Sequence, residues 1–426
     1  MALLATSNQQ LATNSAIWFL FALVYVGMAL GRLPGLGLDR AGVAVLGAIG
    51  MIAVRAISLP AAAHAIDYET ILLLFSLMLF SAQLRAAGFY ETVGEALTHQ
   101  TARPKRLLAG MMGTSALLSA LLANDIVCLA FTPVLCAALL KARRNPIPYL
   151  IALAISSNIG SAATLIGNPQ NMYIGVVGRL PFAHFAAVMI PVTIVALLLA
   201  WTIIMMTWRG QFWDGVDPAI SPLRQPPQLP PFDRRMVFKT LAILLILVIA
   251  FLYLPAAGRV IAALAGGGLL LISRRKDSAR LYQSVDWNLL LLFVGLFVVN
   301  GTMKQSGFLD QLISHLRRQG VDLHRLPTLS TVTTLLSNVV SNVPAVLLLQ
   351  PSIPRADRGA WYVLAMSSTW AGNLTLVGSI ANLIVAEQAQ KLGVKLDLGS
   401  YCKAGIPITL ITVAMGTVWI IWILRS

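Results

Sequence analysis

Asn124 and Asp125 stand in the middle of an apolar run, "LLANDIVCLAFTP" (121–133). A carboxylate in such surroundings has two chemical uses: it holds a cation, or it takes up and releases a proton. Its ionised form costs at least about 2.5 kcal/mol in a bilayer interior, so it persists where a cation or a proton compensates it. Among the 16 acidic residues, Asp125 alone falls between long apolar arms. The plainer alternative is a tip that reaches the surface, where Asp125 only caps a helix. A second apolar stretch, "SNVVSNVPAVLLL", repeats the pattern: Asn124 precedes Pro133 by nine residues, and Asn342 precedes Pro351 by nine. The counterpart of Asp125 there is Val343, so any ion site is asymmetric. Asp125, Asn124, Asn342 and Ser341 form the candidate ion-coupling set.

Two longer apolar segments carry polar interruptions, "SSNIGSAATLIGNPQN" (156–171) and "SSTWAGNLTLVGSIAN" (367–382). A helix broken inside a membrane frees N–H groups at one new end and C=O groups at the other. Such unpaired backbone is tolerated only where it lines a cavity or is buried in protein. The N–H end suits an anion, while carbonyls and side-chain amides suit a cation. Ser157, Asn158, Thr164, Gly167, Asn168 and Asn171 in the first interruption, with Asn373, Thr375, Gly378 and Asn382 in the second, are the candidate substrate contacts. Small and hydroxylated residues also glue membrane helices together. Asn124, Asn342, Asn171 and Asn382 are favoured as functional because each recurs at its equivalent place.

Other chemistries find no support. The five histidines lack metal-ligand spacing, and no nucleophile–base pair, P-loop or dinucleotide fingerprint occurs. The chain therefore reads as neither an enzyme nor an ATP-driven pump. No cofactor or metal is expected beyond a coupling ion, H⁺ or Na⁺. Arg55, Arg85, Arg179 and Lys304 fall at span ends and no arginine is expected at midplane depth, which leaves helix dipoles, amides and co-bound cations to meet a substrate. Glu387 is expected near the cytoplasmic end of its span and exposed. Cys128 and Cys136, eight apart, could share a helix face; they and Cys402 read as small core residues.

The elements that must position these groups follow from composition. Of 426 residues, 58% are apolar and only 11% charged, and the mean hydropathy is +0.78. A globular domain carries about 25% charge, so this is a polytopic membrane protein. The net charge of +15 reads as Lys/Arg held on the cytoplasmic side rather than as a nucleic-acid surface. The N-terminus has no basic n-region, and no cleaved signal peptide is expected.

Ten segments are long and apolar enough to cross, near 15–31, 40–58, 68–88, 147–178, 182–208, 236–255, 259–273, 287–305, 359–390 and 402–424. The stretches around Asn124 and Asn342 are each split into halves too short for a comfortable span. Basic clusters flank the first on both sides (Arg103, Lys105, Arg106; Lys141, Arg143, Arg144), which makes it a re-entrant hairpin with Asn124–Asp125 at its tip. Both termini then lie outside, with 21 of the 31 Lys/Arg inside and 10 outside, as the positive-inside rule requires. Residues 67–97 align without gaps to 286–316, matching Asp67 to Asp286 and Gly88-Phe89 to Gly307-Phe308. Thr164 to Gly167 with Asn171 likewise mirrors Thr375 to Gly378 with Asn382. Five crossings per half make the halves inverted repeats, the plan of a secondary transporter with its site where the repeats meet. The fold expected is all-α. Residues 1–208 form one repeat (hairpin 105–142, broken helix 147–178), 209–235 a proline-rich cytoplasmic linker, and 236–426 the second repeat (hairpin 326–353, broken helix 359–390).

"LLANDIVCLAFTPVL", "GSAATLIGNPQN", "SNVVSNVPAVLLL" and "GSIANLIVAEQA" resemble the ion transporter superfamily over about residues 65–405, and most closely its ArsB/NhaD branch. The resemblance implies two re-entrant hairpins, two broken helices, elevator-like alternating access, a homodimer, and residence in the inner (plasma) membrane. If the chain is an arsenite permease, a cytoplasmic ATPase subunit is a further expected partner. The symporter branch has Ser-Asn-Thr at each hairpin tip; here Ala123-Asn124-Asp125 and Ser341-Asn342-Val343 keep the asparagines and replace the threonines. That departure favours proton coupling or a single cation. The expected function is secondary transport of a small anion or oxyacid of the arsenite type, driven by protons. The alternatives are a sodium–proton antiporter and a sodium-coupled carboxylate or sulfate symporter.

Overall fold

The structure is a computed structural model that describes residues 2–33, 35, 37–98, 103–212, 231–272 and 278–425. Of the expected linker 209–235, residues 213–230 lie outside the described residues. Apart from one short ribbon, in which Arg32–Leu33 pairs antiparallel with Leu38–Asp39, the described secondary structure is helical. The first half holds α1 (Ala2–Leu30), α2 (Arg40–Ala53), α3 (Leu59–Ala65), α4 (Tyr68–Ala86), α5 (Phe89–Thr98), α6 (Pro104–Leu121), α7 (Asn124–Lys141), α8 (Ile147–Ser161), α9 (Pro169–Val177) and α10 (Phe182–Thr207). The second holds α11 (Arg234–Tyr253), α12 (Ala256–Leu271), α13 (Ser278–Gln283), α14 (Trp287–Gln305), α15 (Phe308–Arg318), α16 (Leu326–Val340), α17 (Asn342–Leu349), α18 (Arg358–Trp370), α19 (Ile380–Lys391) and α20 (Leu398–Arg425).

Six described helices, α4, α7, α10, α11, α14 and α20, have the length and hydropathy to cross a bilayer. Their burial sorts them. α4 and α14 are 67% and 61% buried, whereas α10, α11 and α20 are 39%, 28% and 39% buried. The outer three present Met206, Phe238, Tyr253 and Val418, which suits contact with lipid tails as apolar as leucine. Interior helices approach closely through small residues: a Cβ on Gly295 of α14 would lie 2.5 Å from the Ala44 carbonyl carbon of α2, and one on Gly160 of α8 would lie 2.3 Å from the Cα of Ala116 on α6.

The pairs matched in the sequence occupy matching local structures. Asp67 caps α4 by accepting from Thr70 N–H at 2.8 Å, and Asp286 caps α14 by accepting from Leu289 N–H at 3.0 Å. Gly88 and Gly307, which follow those helices, have φ of +70° and +72°, a conformation natural to glycine. α6 and α7 meet at Leu122–Ala123, and α16 and α17 meet at Ser341. The 147–178 segment is divided between α8 and α9. The 359–390 segment is divided between α18 and α19 by two 3₁₀ turns, Ala371–Asn373 and Leu376–Gly378.

Candidate functional site

The two short turns and the two divided helices face one another. Between them lies a cavity of about 340 Å³, and six helices begin in its wall. Arg40 comes from the first turn of α2, Asn124 and Asp125 from α7, Gln170 from α9, Asp286 from the cap of α14, Asn342 from α17, and Ser379 from the cap of α19. Each start leaves backbone N–H groups without intrahelical partners, and together they give the cavity a partial positive field from several directions. Three carboxylates, Asp39, Asp125 and Asp286, and one guanidinium, Arg40, stand in the same wall. A smaller chamber of about 230 Å³ shares Asn124, Asp125, Asn168 and Asp286 with it, so Asp125 and Asp286 belong to both spaces. Among the described residues, no hydrogen bond or ion pair reaches the Asp125 carboxylate.

Asn158 is the hub of the cavity wall. Its Nδ2 donates to Asn373 Oδ1 and to Asn382 Oδ1, both at 3.0 Å. Its Oδ1 accepts from Ser379 Oγ at 3.1 Å and from Asn124 Nδ2 at 3.4 Å. An amide has two N–H donors and two acceptor lone pairs, so all of its capacity is used inside the protein. The interruptions are closed by a repeated device. Asn171 Nδ2 donates to Thr164 C=O at 3.3 Å, and Asn382 Nδ2 donates to Thr375 C=O at 3.1 Å. Asn168 accepts from Asn171 N–H to cap α9, and its Nδ2 reaches Ser161 Oγ and Thr369 Oγ1, each at 3.1 Å. Ser157 pairs with Ser119 at 2.9 Å and donates to Asn124 C=O, while the Thr164 hydroxyl donates to Ala120 C=O.

Of the residues singled out by sequence, Asn124, Asp125, Asn158, Asn168, Ser341 and Asn342 line the cavity. Ser157, Thr164, Gly167, Asn171, Asn373, Thr375, Gly378 and Asn382 stand one layer back. Gly167 is there because a Cβ would lie 2.2 Å from Ser161 C=O; on Gly378 it would lie 2.6 Å from Asn338 Oδ1. Besides Asp125, one wall group with unused capacity sits at the second turn. Asn342 Oδ1 is buried with no partner among the described residues. Ser341 holds φ +80°, ψ 161°, a region nearly restricted to glycine and a strained one for serine.

Arg40, the first residue of the expected span 40–58, walls the cavity, and its Nε donates to Met28 C=O at 3.2 Å. The paired strands Arg32–Leu33 and Leu38–Asp39 lead into it. Asp39, Asp286, Asn288, Gln170, Thr369 and Ser379 were also missed as cavity residues. Gln170, Thr369 and Ser379 lie inside quoted motifs, and Asp286 opens the matched repeat, so those four carried a signal. Glu387 is exposed and paired with Lys391 at 2.9 Å. Cys128 and Cys136 are buried and free.

A family profile described as a citrate transporter matches residues 16–366. The chain is 29% identical over 373 residues to a 46 kDa membrane protein of Mycobacterium leprae, covering 83% of this chain and 86% of that one. It is 27% identical over 467 residues to the silicon efflux transporter LSI3 of Oryza sativa subsp. japonica, covering 93% and 95%. Among solved structures, the YdaH transporter of Alcanivorax borkumensis shares the fold with a TM-score of 0.52 at 15% identity, over 97% of this chain and 98% of that one.

Proposed function

The chain belongs to the citrate transporter family, a group of multi-pass membrane transporters and not enzymes, and we propose that it moves a small anion or oxyacid of the arsenite type by proton-coupled alternating access. Residues 1–208 and 236–426 act as inverted repeats, each with a re-entrant hairpin and a broken helix, joined by the cytoplasmic linker 209–235. The protein works in the inner membrane as a homodimer. The observation that carries this reading is the convergence of α7, α9, α17 and α19, all begun by a turn or a break, on the cavity that also holds Asp125. Their N–H ends receive the anion or the oxyacid oxygens. Asp125, whose carboxylate has no hydrogen-bond or ion-pair partner among the described residues, exchanges the coupling proton. Asn124, Ser341 and Asn342 complete the ion-coupling set, while Asn158 and the residues behind it fix the loops.

A sodium-coupled carboxylate or sulfate symporter is the second reading. It is favoured by Arg40, a fork suited to carboxylates, and by the family's description. One experiment separates these readings from a sodium–proton antiporter. Everted vesicles holding a pH-sensitive dye receive arsenite, sulfate, citrate or Na⁺ in turn. Proton movement on adding an oxyacid or anion is the expected result. Uptake that needs Na⁺ and moves no protons would establish the symporter instead. Proton movement with Na⁺ alone would sink both anion readings.

A further inference from the structure

α14 walls the central cavity at its beginning, through Asp286 and Asn288, and walls a separate cavity of about 290 Å³ at its other end, through Asn300 and Lys304. The helical rise puts Asn288 and Lys304 about 24 Å apart along the axis. The far cavity is completed by His64 of α3, Tyr173 of α9 and Gln350, which follows α17.

Its chemistry is one-sided. Tyr25 donates its hydroxyl to Asn300 Oδ1 at 2.9 Å, and Tyr173 donates to Gln350 Oε1 at 3.0 Å. Each tyrosine therefore occupies the acceptor end of an amide and leaves the NH₂ end without that partner. Asn300 is 8% exposed, and its Nδ2 is buried with no partner among the described residues. An unpaired buried donor costs free energy until something accepts from it. Lys304 adds a fixed positive charge, exposed at the rim and without a carboxylate within ion-pair distance among the described residues. Among the described residues, no aspartate or glutamate lines the cavity. Asp67, whose charge acts on Tyr173, is outside the lining and is held by Thr70 N–H at the start of α4.

We propose that this far cavity is a second anion-binding site, built for a small carboxylate or oxyanion with at least two acceptor oxygens, which Asn300 and Gln350 hold by their amide N–H groups and Lys304 by charge. The site stands on its own lining and does not depend on the transport role of the central cavity.

Equilibrium binding of radiolabelled sulfate and citrate to the full-length protein in lipid nanodiscs tests it. To silence the central cavity, the measurement is repeated with Asp125→Asn and Asn342→Ala combined. A saturable component that survives this pair is expected. Lys304→Gln should weaken that component about fivefold or more, as loss of a charge-assisted contact does. Gln350→Glu, which keeps the acceptor for Tyr173 but puts a negative charge in the cavity, should abolish it. Asp67→Asn, which preserves helix capping, should tighten it. Elution of each variant as a monodisperse peak confirms folding. No saturable binding of either probe, binding indifferent to both Lys304→Gln and Gln350→Glu, or binding weakened by Asp67→Asn would each overturn the proposal. Transport of the same probes is measured in parallel. If the Lys304-sensitive component is present and transport absent, only the proposed function fails; if transport is present and the component absent, only the second site fails.

Discussion

Asp125 is one of three carboxylates around the central cavity, and the other two have structural duties. Asp39 accepts from Gly42 N–H at 2.8 Å to cap α2, and Asp286 caps α14. Asp125 lies in the first turn of α7 with no side-chain partner among the described residues. Asp125→Asn should therefore abolish coupled transport while leaving the melting temperature within a degree or two, and Asp286→Asn should keep most activity because asparagine caps a helix as well as aspartate. Wild-type rates in Asp125→Asn, measured in the vesicle assay, would remove it from coupling. The asparagines divide in the same way. Asn158→Ala strands Asn373, Asn382 and Ser379 together, at roughly 1–3 kcal/mol for each buried group left unpaired, so thermal stability and transport should fall together. Asn342→Ala, which removes a group with a spare acceptor, should weaken ion-coupled transport with little loss of stability. The vesicle assay alongside thermal melts checks both. Sequence alone brought Asn124, Asp125, Asn158 and Asn342 forward because polar residues among apolar arms are conspicuous. It could not divide them, since whether an amide is saturated depends on partners more than 200 residues away. Arg40 carried no signal at all, because a charge at a span end is ordinary until the chain folds it over a cavity.

At the scale of elements, the residue pairs matched in the sequence do matching local work. Matched aspartates cap matched helices, matched glycines take the left-handed turn, and Asn171 and Asn382 each close an interruption onto the carbonyl seven residues back. Two glycines chosen as substrate contacts do different work. At Gly167 a methyl would meet backbone oxygens of Ser161 and Ser119 at 2.2 and 2.7 Å, and neither can move without shifting a helix. At Gly378 the nearest atom is Asn338 Oδ1 at 2.6 Å, the end of a side chain held by Thr334, Ala371 and Thr375, which gives way at the cost of hydrogen bonds rather than of a helix shift. Gly167→Ala should lie at or beyond the top of the roughly 1–3 kcal/mol range for overpacking and leave little folded protein. Gly378→Ala should fold and lose stability by less. Detergent-extractable yield and melting temperature would show the order, and equal damage at both sites would contradict it. The short helices α3, α5, α13 and α15 carry no span signal in the sequence, because length and apolarity mark only segments that can cross and these are too short.

At the scale of the whole molecule, two cavities lie at opposite ends of α14, the central one at its start and the far one at its finish. Under the proposed topology the distribution of 31 Lys and Arg orients them, with the loops that precede α2 and α14 on the basic side and those that follow α3 and α14 on the other. The central cavity should then open to the cytoplasm in this conformation and the far cavity to the outside. Asp39 and Gln305 are both exposed and mark the two mouths. With Cys128, Cys136 and Cys402 replaced by alanine, Gln305→Cys should react with a membrane-impermeant maleimide in intact cells. Asp39→Cys should react only in everted vesicles. Addition of a transported anion should lower the reactivity of Asp39→Cys as the population shifts away from the conformation that exposes it. Labelling of both positions from the same side would refute the topology and, with it, the inversion of the repeats. Opposite-sided labelling unmoved by substrate would keep the topology and deny the alternation.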